Sequence, residues 1–112
     1  MFAKHLERRY ILLTSKQRST LRSIGNGLEP IVIIGKSGIT ENLLIQLNDA
    51  LTARELVKTR VLPHQDFDVK ELAKDLAQKT GADIVQTIGR NILLYRAPQD
   101  KSPSKIDWER KC

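Results

Sequence analysis

A short apolar run that ends at a glycine loop constrains the fold of this chain more than any other feature. Residues 31–34 (Ile-Val-Ile-Ile) lead into residues 35–38 (Gly-Lys-Ser-Gly), and leucines then recur at helical spacing after Thr40. A continuous apolar run fits a strand that is covered on both faces, and Thr40 fits the N-cap of an amphipathic helix. The sequence therefore predicts a strand, a loop and a helix in succession, which is the repeating unit of α/β folds.

Similar patterns continue on both sides of this unit. Thr14 and Gln17 have the spacing of a capping box, and the helix that they open is expected to end in the Gly-Asn-Gly run at 25–27. Residues 56–62 alternate between apolar and basic side chains, which predicts a strand with one buried face.

The last third of the predicted domain contains one more helix and a hairpin. Asp68 is expected to cap a helix that ends at Gly81. Residues 84–88 and 92–96 then form two strands joined across 89–91. The predicted order is α-β-α-β-α-β-β, which gives an α/β fold with a four-stranded mixed sheet: two crossovers favour parallel pairing, and the hairpin adds an antiparallel strand.

The charge of the chain points to an anionic partner. The net charge is +6 and the pI is near 9.7. Residues 1–22 hold six basic and one acidic side chain, whereas residues 23–95 are close to neutral with eight basic and nine acidic ones. Nucleic acid is the usual partner of such a protein and a membrane surface is a lesser option. The alternative is a basic protein whose charge serves no binding function.

Several function classes are excluded by composition. Cys112 is the only cysteine, and His5 and His64 are the only histidines, which argues against disulfides, a metal site and Cys-His catalysis. No apolar run approaches the ~18 residues of a membrane span, and no signal peptide is recognisable. The acidic residues between 66 and 75 are explained by a helix cap and a solvated helix face. We therefore expect a cytoplasmic binding protein, not an enzyme, without metal or cofactor.

The Gly-Lys-Ser run raises the question of nucleotide binding. A P-loop has the pattern G-x-x-x-x-G-K-[ST], in which successive backbone N–H groups hold the phosphates. Here Pro30 replaces the first glycine, and the four intervening residues, 31–34, are the predicted strand. We therefore predict that the chain does not bind ATP or GTP.

What remains is a G-x-x-G turn between a strand and a helix, here called the GKSG loop and formed by Gly35, Lys36, Ser37 and Gly38. Glycines let the backbone approach a ligand closely, and the helix N-terminus behind them offers unpaired N–H groups. Such a loop suits the phosphates of a polymer, as in KH domains. The alternative is a tight turn that needs its glycines only for shape.

Other cations extend the candidate site. Those expected to line one phosphate-binding surface together with Lys36 are Lys16, Arg18 and Arg22 of the first helix. Three more, for which a solvated surface charge is an equal explanation, are Lys58, Arg60 and Arg90. The five aromatic residues do not form the stacking pair of an RRM, and Tyr95 is interpreted as a cross-strand packing residue. Binding to the RNA backbone and to RNA shape is therefore expected, because base stacking is poorly provided for.

Three stretches of the chain resemble a known family. They are LTSKQRSTLRSIGNGLEPIVIIGKSGIT (13–40), ALTARELVKTRVL (50–62) and TGADIVQTIGRNILLYR (80–96). In order and spacing they resemble the CRM domain (chloroplast RNA splicing and ribosome maturation) of the YhbY-like family of small bacterial RNA-binding proteins. The resemblance implies a fold like the C-terminal domain of translation initiation factor three and an RNA-contact loop at residues 35–38. It also implies an association with precursors of the large ribosomal subunit.

Taken with the residues, the resemblance predicts a monomeric ribosome-assembly factor that binds ribosomal RNA or a pre-ribosomal particle. The alternative is a protein-interaction module that docks on a ribosomal protein and contacts RNA only incidentally. Residues 13–96 are expected to form the domain, residues 1–12 an N-terminal extension, and residues 97–112 a flexible tail. The two terminal segments inherit no role from the family.

Overall fold

The computed structural model describes residues 14–63 and 67–98, together with Ser104, Ile106 and Trp108. In these residues the predicted order of helices and strands is confirmed. The elements are α1 Ser15–Asn26, β1 Val32–Ile34, α2 Glu41–Arg54, β2 Leu56–Val61, α3 Val69–Thr80, β3 Asp83–Ile88 and β4 Asn91–Tyr95. The predicted N-terminal extension, residues 1–12, lies outside the described residues. None of the helices in the described part of the chain is both long and apolar enough to cross a membrane.

The helix ends follow their local sequence. Thr14 and Gln17 form the predicted capping box, with Gln17 N–H donating to Thr14 Oγ1 at 3.0 Å and Thr14 N–H to Gln17 Oε1 at 2.9 Å. Thr40 caps α2 and Asp68 caps α3, as expected. Gly81 ends α3 with a φ of 74°, a conformation that costs glycine little. A side-chain cap contributes about 1 kcal/mol to stability, and these short signals define where each helix begins.

The strands pair in the order β1-β2-β4-β3. β1 and β2 are parallel, whereas β4 is antiparallel to both β2 and β3. The mixed sheet predicted from the sequence is therefore confirmed. The sequence did not predict that β4, the last strand, would lie between β2 and β3. The connection from β2 to β3 through α3 therefore crosses over β4.

Side chains of β2 show how the helices are divided between the two faces of the sheet. Leu56 packs in a cluster with Leu21 of α1, whereas Val57 and Val61 pack with Leu47 of α2 and residues of α3. Because alternate side chains of a strand point to opposite faces, α1 covers one face and α2 and α3 cover the other. The sheet is thus the middle layer of three, and we call its two sides the α1 face and the α2–α3 face.

The prediction that residues 31–34 are covered on both faces is wrong. The strand comprises Val32–Ile34 only, at an edge of the sheet, and its burial alternates. Val32 and Ile34 are fully buried, but Ile33, on the α1 face, is 43% exposed. α1 packs mainly over β2 and β3 rather than over this corner. A run of four apolar residues does not reveal that one of them faces solvent.

At one end of the sheet, a buried arginine connects the last strand to two helices. We call this the anchored end and define it by the row Leu56, Tyr95 and Asp83, which face one another across β2, β4 and β3. Arg96 directly follows β4 there and is 8% exposed. Its guanidinium donates to Asn48 Oδ1 at 2.7 Å, the Thr80 carbonyl at 2.8 Å and Thr52 Oγ1 at 2.9 Å. These bonds tie the end of β4 to α2 and α3.

Three described positions of the predicted tail pack at the anchored end. The ring of Trp108 meets that of Tyr95 edge to face with centroids 5.7 Å apart, and Ile106 joins the same apolar cluster. Ser104 Oγ donates to Glu55 Oε1 at 2.8 Å and accepts a bond from Trp108 Nε1 at 3.1 Å. Ile106 and Trp108 therefore contact the α1 face, and Ser104 is bonded to Glu55, the residue before β2. The flexibility of the other residues of 99–112 lies outside the described residues and stays a prediction.

Candidate nucleic-acid interface

The GKSG loop is a tight turn that presents two side chains to solvent. The Gly38 N–H donates to the Gly35 carbonyl at 3.0 Å, which makes Lys36 and Ser37 the central residues of the turn. Both central residues are exposed. The turn therefore holds an ammonium group and a hydroxyl at its tip, on two adjacent residues.

The two glycines of the loop serve different purposes. Gly38 has a φ of +70°, and a Cβ placed there would lie 3.3 Å from Cζ of Phe67. This glycine is needed for the shape of the turn, because side chains rarely adopt that backbone conformation. A Cβ at Gly35 would meet only Leu62 Cδ1, at the ordinary contact distance of 3.6 Å. The free protein thus does not require glycine at position 35.

Helix α2 begins directly behind the loop. Thr40 Oγ1 accepts a hydrogen bond from Leu43 N–H at 3.1 Å, and Glu41 lies in the first turn. The cap satisfies one of the free N–H groups, and the remaining partial positive charge of the helix faces the loop. Lys36 is therefore placed where an anion is doubly favoured, although the carboxylate of Glu41 offsets part of this charge.

The sheet brings further cations to the same end as the loop. Ile33, Arg60, Asn91 and Ile88 face one another across the four strands, and we call this row the loop end of the sheet. Arg60 is exposed there. Lys58 lies two residues earlier in β2, and its side chain therefore shares the α1 face with Arg60.

Arg90 joins this group from the turn between β3 and β4. Its Nη1 donates to the Leu62 carbonyl at 3.3 Å, and its own carbonyl accepts from Val61 N–H at 2.8 Å. Leu62 also donates its N–H to the Ile34 carbonyl, just before the loop. The turn, the end of β2 and the start of the GKSG loop are therefore joined by hydrogen bonds into one contiguous edge, which carries Arg60 and Arg90.

The sequence predicts that the cations of α1 line one surface with Lys36, and for one of them, Arg18, the structure shows contacts within the protein. Arg18 Nη1 donates to the carbonyls of Ile84 at 3.1 Å and Val85 at 3.2 Å, near the start of β3. β3 is the edge of the sheet opposite β1, and this part of it is close to the anchored end. The guanidinium of Arg18 therefore joins α1 to the sheet.

The direction of α1 determines how far Lys16 and Arg22 lie from the loop. α1 runs from the Arg18 contacts toward the loop end, because Asn26 at its last turn lines a groove with Asn91 and Ile88. Lys16 is exposed at the far side of Arg18 from the loop, and Arg22 is exposed one turn nearer to it. Arg22 is thus the α1 cation best placed to act with Lys36.

That groove was missed by the sequence analysis. Gln86, Ile88 and Leu93 lie on the same face as Lys58, and they border the groove together with Asn26 and Asn91. Period-two alternation in β3 and β4 could have placed these residues on one face. Their proximity to one another could not have been predicted without the strand order.

No group of three or more His, Cys, Asp or Glu side chains that could hold a metal ion occurs within 14–63, 67–98, Ser104, Ile106 and Trp108. Burial, with Glu55 and Asp83 nearby, raises the pKa of Tyr95 to about 12, but this residue lies at the anchored end. Val32–Ile34 is strand, so the backbone that a P-loop would need for its phosphate cradle is committed to the sheet. The arrangement suits electrostatic binding of an anion at the loop end.

The described residues thus form a three-layer α/β domain with a lysine-bearing turn at one end of its sheet. The chain belongs to the CRS1/YhbY (CRM) domain family, whose family model matches residues 13–96. A Bacillus subtilis protein named "Probable RNA-binding protein YqeI" is 39% identical over 85% of this chain and 99% of its own length. A Haemophilus influenzae protein named "RNA-binding protein" is 35% identical over 88% of this chain and 97% of its own.

A solved structure has the same fold. The solution structure of a hypothetical protein from Staphylococcus aureus superimposes with a TM-score of 0.70 at 41% identity, covering 85% of this chain and 99% of the other. The family predicted from the sequence is thus confirmed. The likeness to the C-terminal domain of translation initiation factor three stays a prediction.

Proposed function

We propose that this chain binds structured RNA through the loop end of its sheet and that it acts in the assembly of the large ribosomal subunit. The observation that carries the proposal is the GKSG turn, which exposes Lys36 and Ser37 in front of the N-terminus of α2 and beside Arg60. The names of the relatives support RNA as the ligand, since the Bacillus and Haemophilus proteins are both named for RNA binding.

The proposed mechanism is recognition of the RNA backbone. Lys36 binds one phosphate, and the close approach that Gly35 permits lets the phosphate reach the backbone N–H groups of the turn. Arg60 binds a phosphate on the α1 side of the same edge. Arg90, whose Nη1 also donates to the Leu62 carbonyl, binds one through its remaining guanidinium N–H groups. Lys58 and Arg22 extend the positive surface along the α1 face, and Lys16 reaches only a long RNA. Phosphate contacts of this kind position an RNA without reading its sequence.

A second candidate function is the docking of a ribosomal protein. Ile33 and Ile88 are 43% and 58% exposed, respectively, and both lie in the row at the loop end of the sheet. The two side chains lie on opposite edge strands of the sheet, so they would serve as two separate points of contact with a protein partner. The two functions differ in their response to salt, because only binding through phosphates releases many counterions.

The test is a salt titration of binding to structured RNA from the large ribosomal subunit. Lys36→Ala should remove about one phosphate contact and lower the slope of log K against log salt by roughly 0.7 to 0.9. Lys79→Ala is the matched control, since Lys79 is exposed in the last turn of α3, away from the loop. Its slope should equal that of the wild type.

Gly35→Ala sharpens the same test. The substitution should keep the fold, because its Cβ meets only Leu62, yet it should weaken RNA binding if the phosphate approaches the turn closely. Circular dichroism provides the folding control. Wild-type affinity and slope in both folded variants would show that the loop is only a turn, and tight, salt-insensitive binding to a ribosomal protein would favour the second function.

A further inference from the structure

The anchored end of the sheet holds a piece of the chain that the proposed RNA binding does not use. The family model ends at Arg96, and three described residues beyond it, Ser104, Ile106 and Trp108, are docked on the domain. We call these three residues the clasp, and the surface beneath them the clasp site. The clasp lies outside the stretch that the family model matches, so the family does not account for it.

One part of the clasp site is apolar. The ring of Trp108 meets that of Tyr95 edge to face with centroids 5.7 Å apart. Ile106 packs against the same buried cluster, which includes Leu56 and Leu21. Both clasp side chains remain half-buried. They therefore cover apolar surface of the domain from outside, without the complete burial of its core residues.

The polar contacts of the clasp centre on the hydroxyl of Ser104. Its Oγ donates to Glu55 Oε1 at 2.8 Å, and it accepts from Trp108 Nε1–H and from Ile106 N–H, each at 3.1 Å. A hydroxyl has one donor and two acceptor lone pairs, so Ser104 uses its full hydrogen-bonding capacity here. One bond joins the clasp to the domain, and the other two hold the clasp in shape.

The acceptor on the domain, Glu55, occupies a position where glycine is common. It directly follows α2 with a φ of 68° and is 1% exposed. Residues with a side chain rarely adopt this conformation, and helices that end in it usually have glycine there. The glutamate places a buried carboxyl group under the clasp, where it accepts the one proton that Ser104 donates. The domain thus offers the clasp a specific polar contact as well as an apolar surface.

We propose that the clasp site is a peptide-docking site, and that the C-terminal segment of this chain is its ligand, which opens and closes while the domain stays folded. The ligand is recognised by a hydroxyl, an aliphatic side chain and a tryptophan at every second position, as in Ser104, Ile106 and Trp108. Residues 99–103 alone separate the clasp from Pro98. So short a tether gives an effective concentration in about the millimolar range, so a contact that is weak for a free peptide still keeps the clasp closed.

The first test follows the clasp and the domain separately in the wild-type chain. Trp108 is the one tryptophan of the sequence, so its fluorescence reports on the clasp, whereas circular dichroism reports on the helices and the sheet. As urea is added, the emission of Trp108 should shift to the red before the dichroism changes, because local opening requires less free energy than global unfolding. Ser104→Ala should lower the urea concentration of this shift. Ser37→Ala, at an exposed serine of the GKSG loop, is the matched control and should behave as the wild type.

The second test supplies the ligand as a separate peptide. Full-length Trp108→Ala should bind a fluorescein-labelled peptide of residues 99–111 about tenfold or more tightly than the wild type, in which the tethered clasp occupies the site. Ser104→Ala of the full chain is a second variant with a weakened clasp, and circular dichroism is the folding control for both. A peptide with Ser104→Ala should bind about tenfold more weakly, and one with Trp108→Ala should not bind.

Either of two results overturns the inference. If fluorescence and dichroism change together in the wild type, the clasp is part of the cooperative fold of the domain and is not a separable ligand. If the peptide binds the wild type and both variants equally, or binds none of them, the surface under the clasp is not a docking site. Neither test involves RNA, so both are independent of the proposed function.

Discussion

The two ends of the sheet use cations in opposite ways. At the anchored end, Arg96 is 8% exposed and its guanidinium is bonded to α2 and α3. At the loop end, Lys36 and Arg60 are exposed, and neither side chain has a hydrogen bond or ion pair to any other described residue. A cation whose donors are already satisfied by the protein has little to offer a phosphate. The availability of donors, and not charge alone, therefore separates structural cations from candidate RNA contacts.

The largest change in stability that tests this contrast between the two ends is expected on substitution of Arg96. Arg96→Ala leaves the Thr80 carbonyl and the Asn48 side chain without their donors, which should lower the free energy of unfolding by about 3 kcal/mol. The RNA affinity of the folded fraction should not change. Urea denaturation measures the loss. Arg54→Ala, an exposed position in the last turn of α2, is the control and should stay within about 0.5 kcal/mol of the wild type.

Equal stability of Arg96→Ala and Arg54→Ala would contradict the structural role assigned to the buried arginine at the anchored end. Arg96 would then contribute no more than an ordinary surface cation, and its burial would say nothing about its role. A loss of RNA affinity in the folded Arg96→Ala protein would also contradict the contrast between the two ends, since the anchored end would then take part in RNA binding.

Tyr95 offers a second measurement at the anchored end, through pH. Burial, followed by the charges of Glu55 and Asp83, raises its pKa from 10.0 to about 12. Because the folded state holds the proton more tightly, stability from this group is complete below pH 10 and is lost as the pH rises toward 12. The loss should reach about 2 kcal/mol by pH 12.

The check is a series of unfolding measurements on wild type and Tyr95→Phe. The difference between their unfolding free energies should be constant below pH 10 and should then shift in favour of the phenylalanine variant. RNA binding near neutral pH should be the same in both. A pH-independent difference would mean that the Tyr95 hydroxyl titrates as it does in the unfolded chain.

A third prediction sharpens the comparison inside the loop end itself, with two equal substitutions. Gly38→Ala forces a side chain to a φ of +70° and against Phe67, so it should cost about 1 to 2 kcal/mol of stability. Gly35→Ala has no such conflict and should change stability by less than about 0.5 kcal/mol. Thermal denaturation of the two proteins decides. Equal melting temperatures would contradict the structural role assigned to Gly38.

The helices and strands could be predicted from local sequence signals. The features that were not predicted depend on pairing between strands far apart in the chain. The capping box of Thr14 and Gln17 and the stop at Gly81 depend on neighbours within four residues, so they were predictable. The insertion of β4 between β2 and β3 depends on partners far apart in the chain. For the same reason, the exposure of Ile33 at an edge strand was not predictable from an apolar run.

The candidate site shows the same division. Lys36 and Ser37 at the tip of the turn followed from glycine spacing alone. The sequence displays the charge of Arg18 as plainly as that of Arg60, but it does not show that Arg18 donates to carbonyls of β3. The groove with Asn91 required the register of three strands and the direction of α1.

The smallest effects on stability and RNA binding are expected in α1, where Arg18, bonded to the sheet, and Arg22, exposed to solvent, lie one turn apart. Arg18→Ala removes two bonds to strand carbonyls and should lower the free energy of unfolding by about 1 kcal/mol, with little effect on the salt slope of RNA binding. Arg22→Ala should leave stability within about 0.5 kcal/mol, because Arg22 is exposed, and should lower the salt slope if it binds a phosphate. Measuring both quantities on both variants tests the rule that satisfied donors are structural. A lower salt slope in Arg18→Ala at wild-type stability would contradict it, since the guanidinium would then leave β3 for the RNA at no cost to the fold.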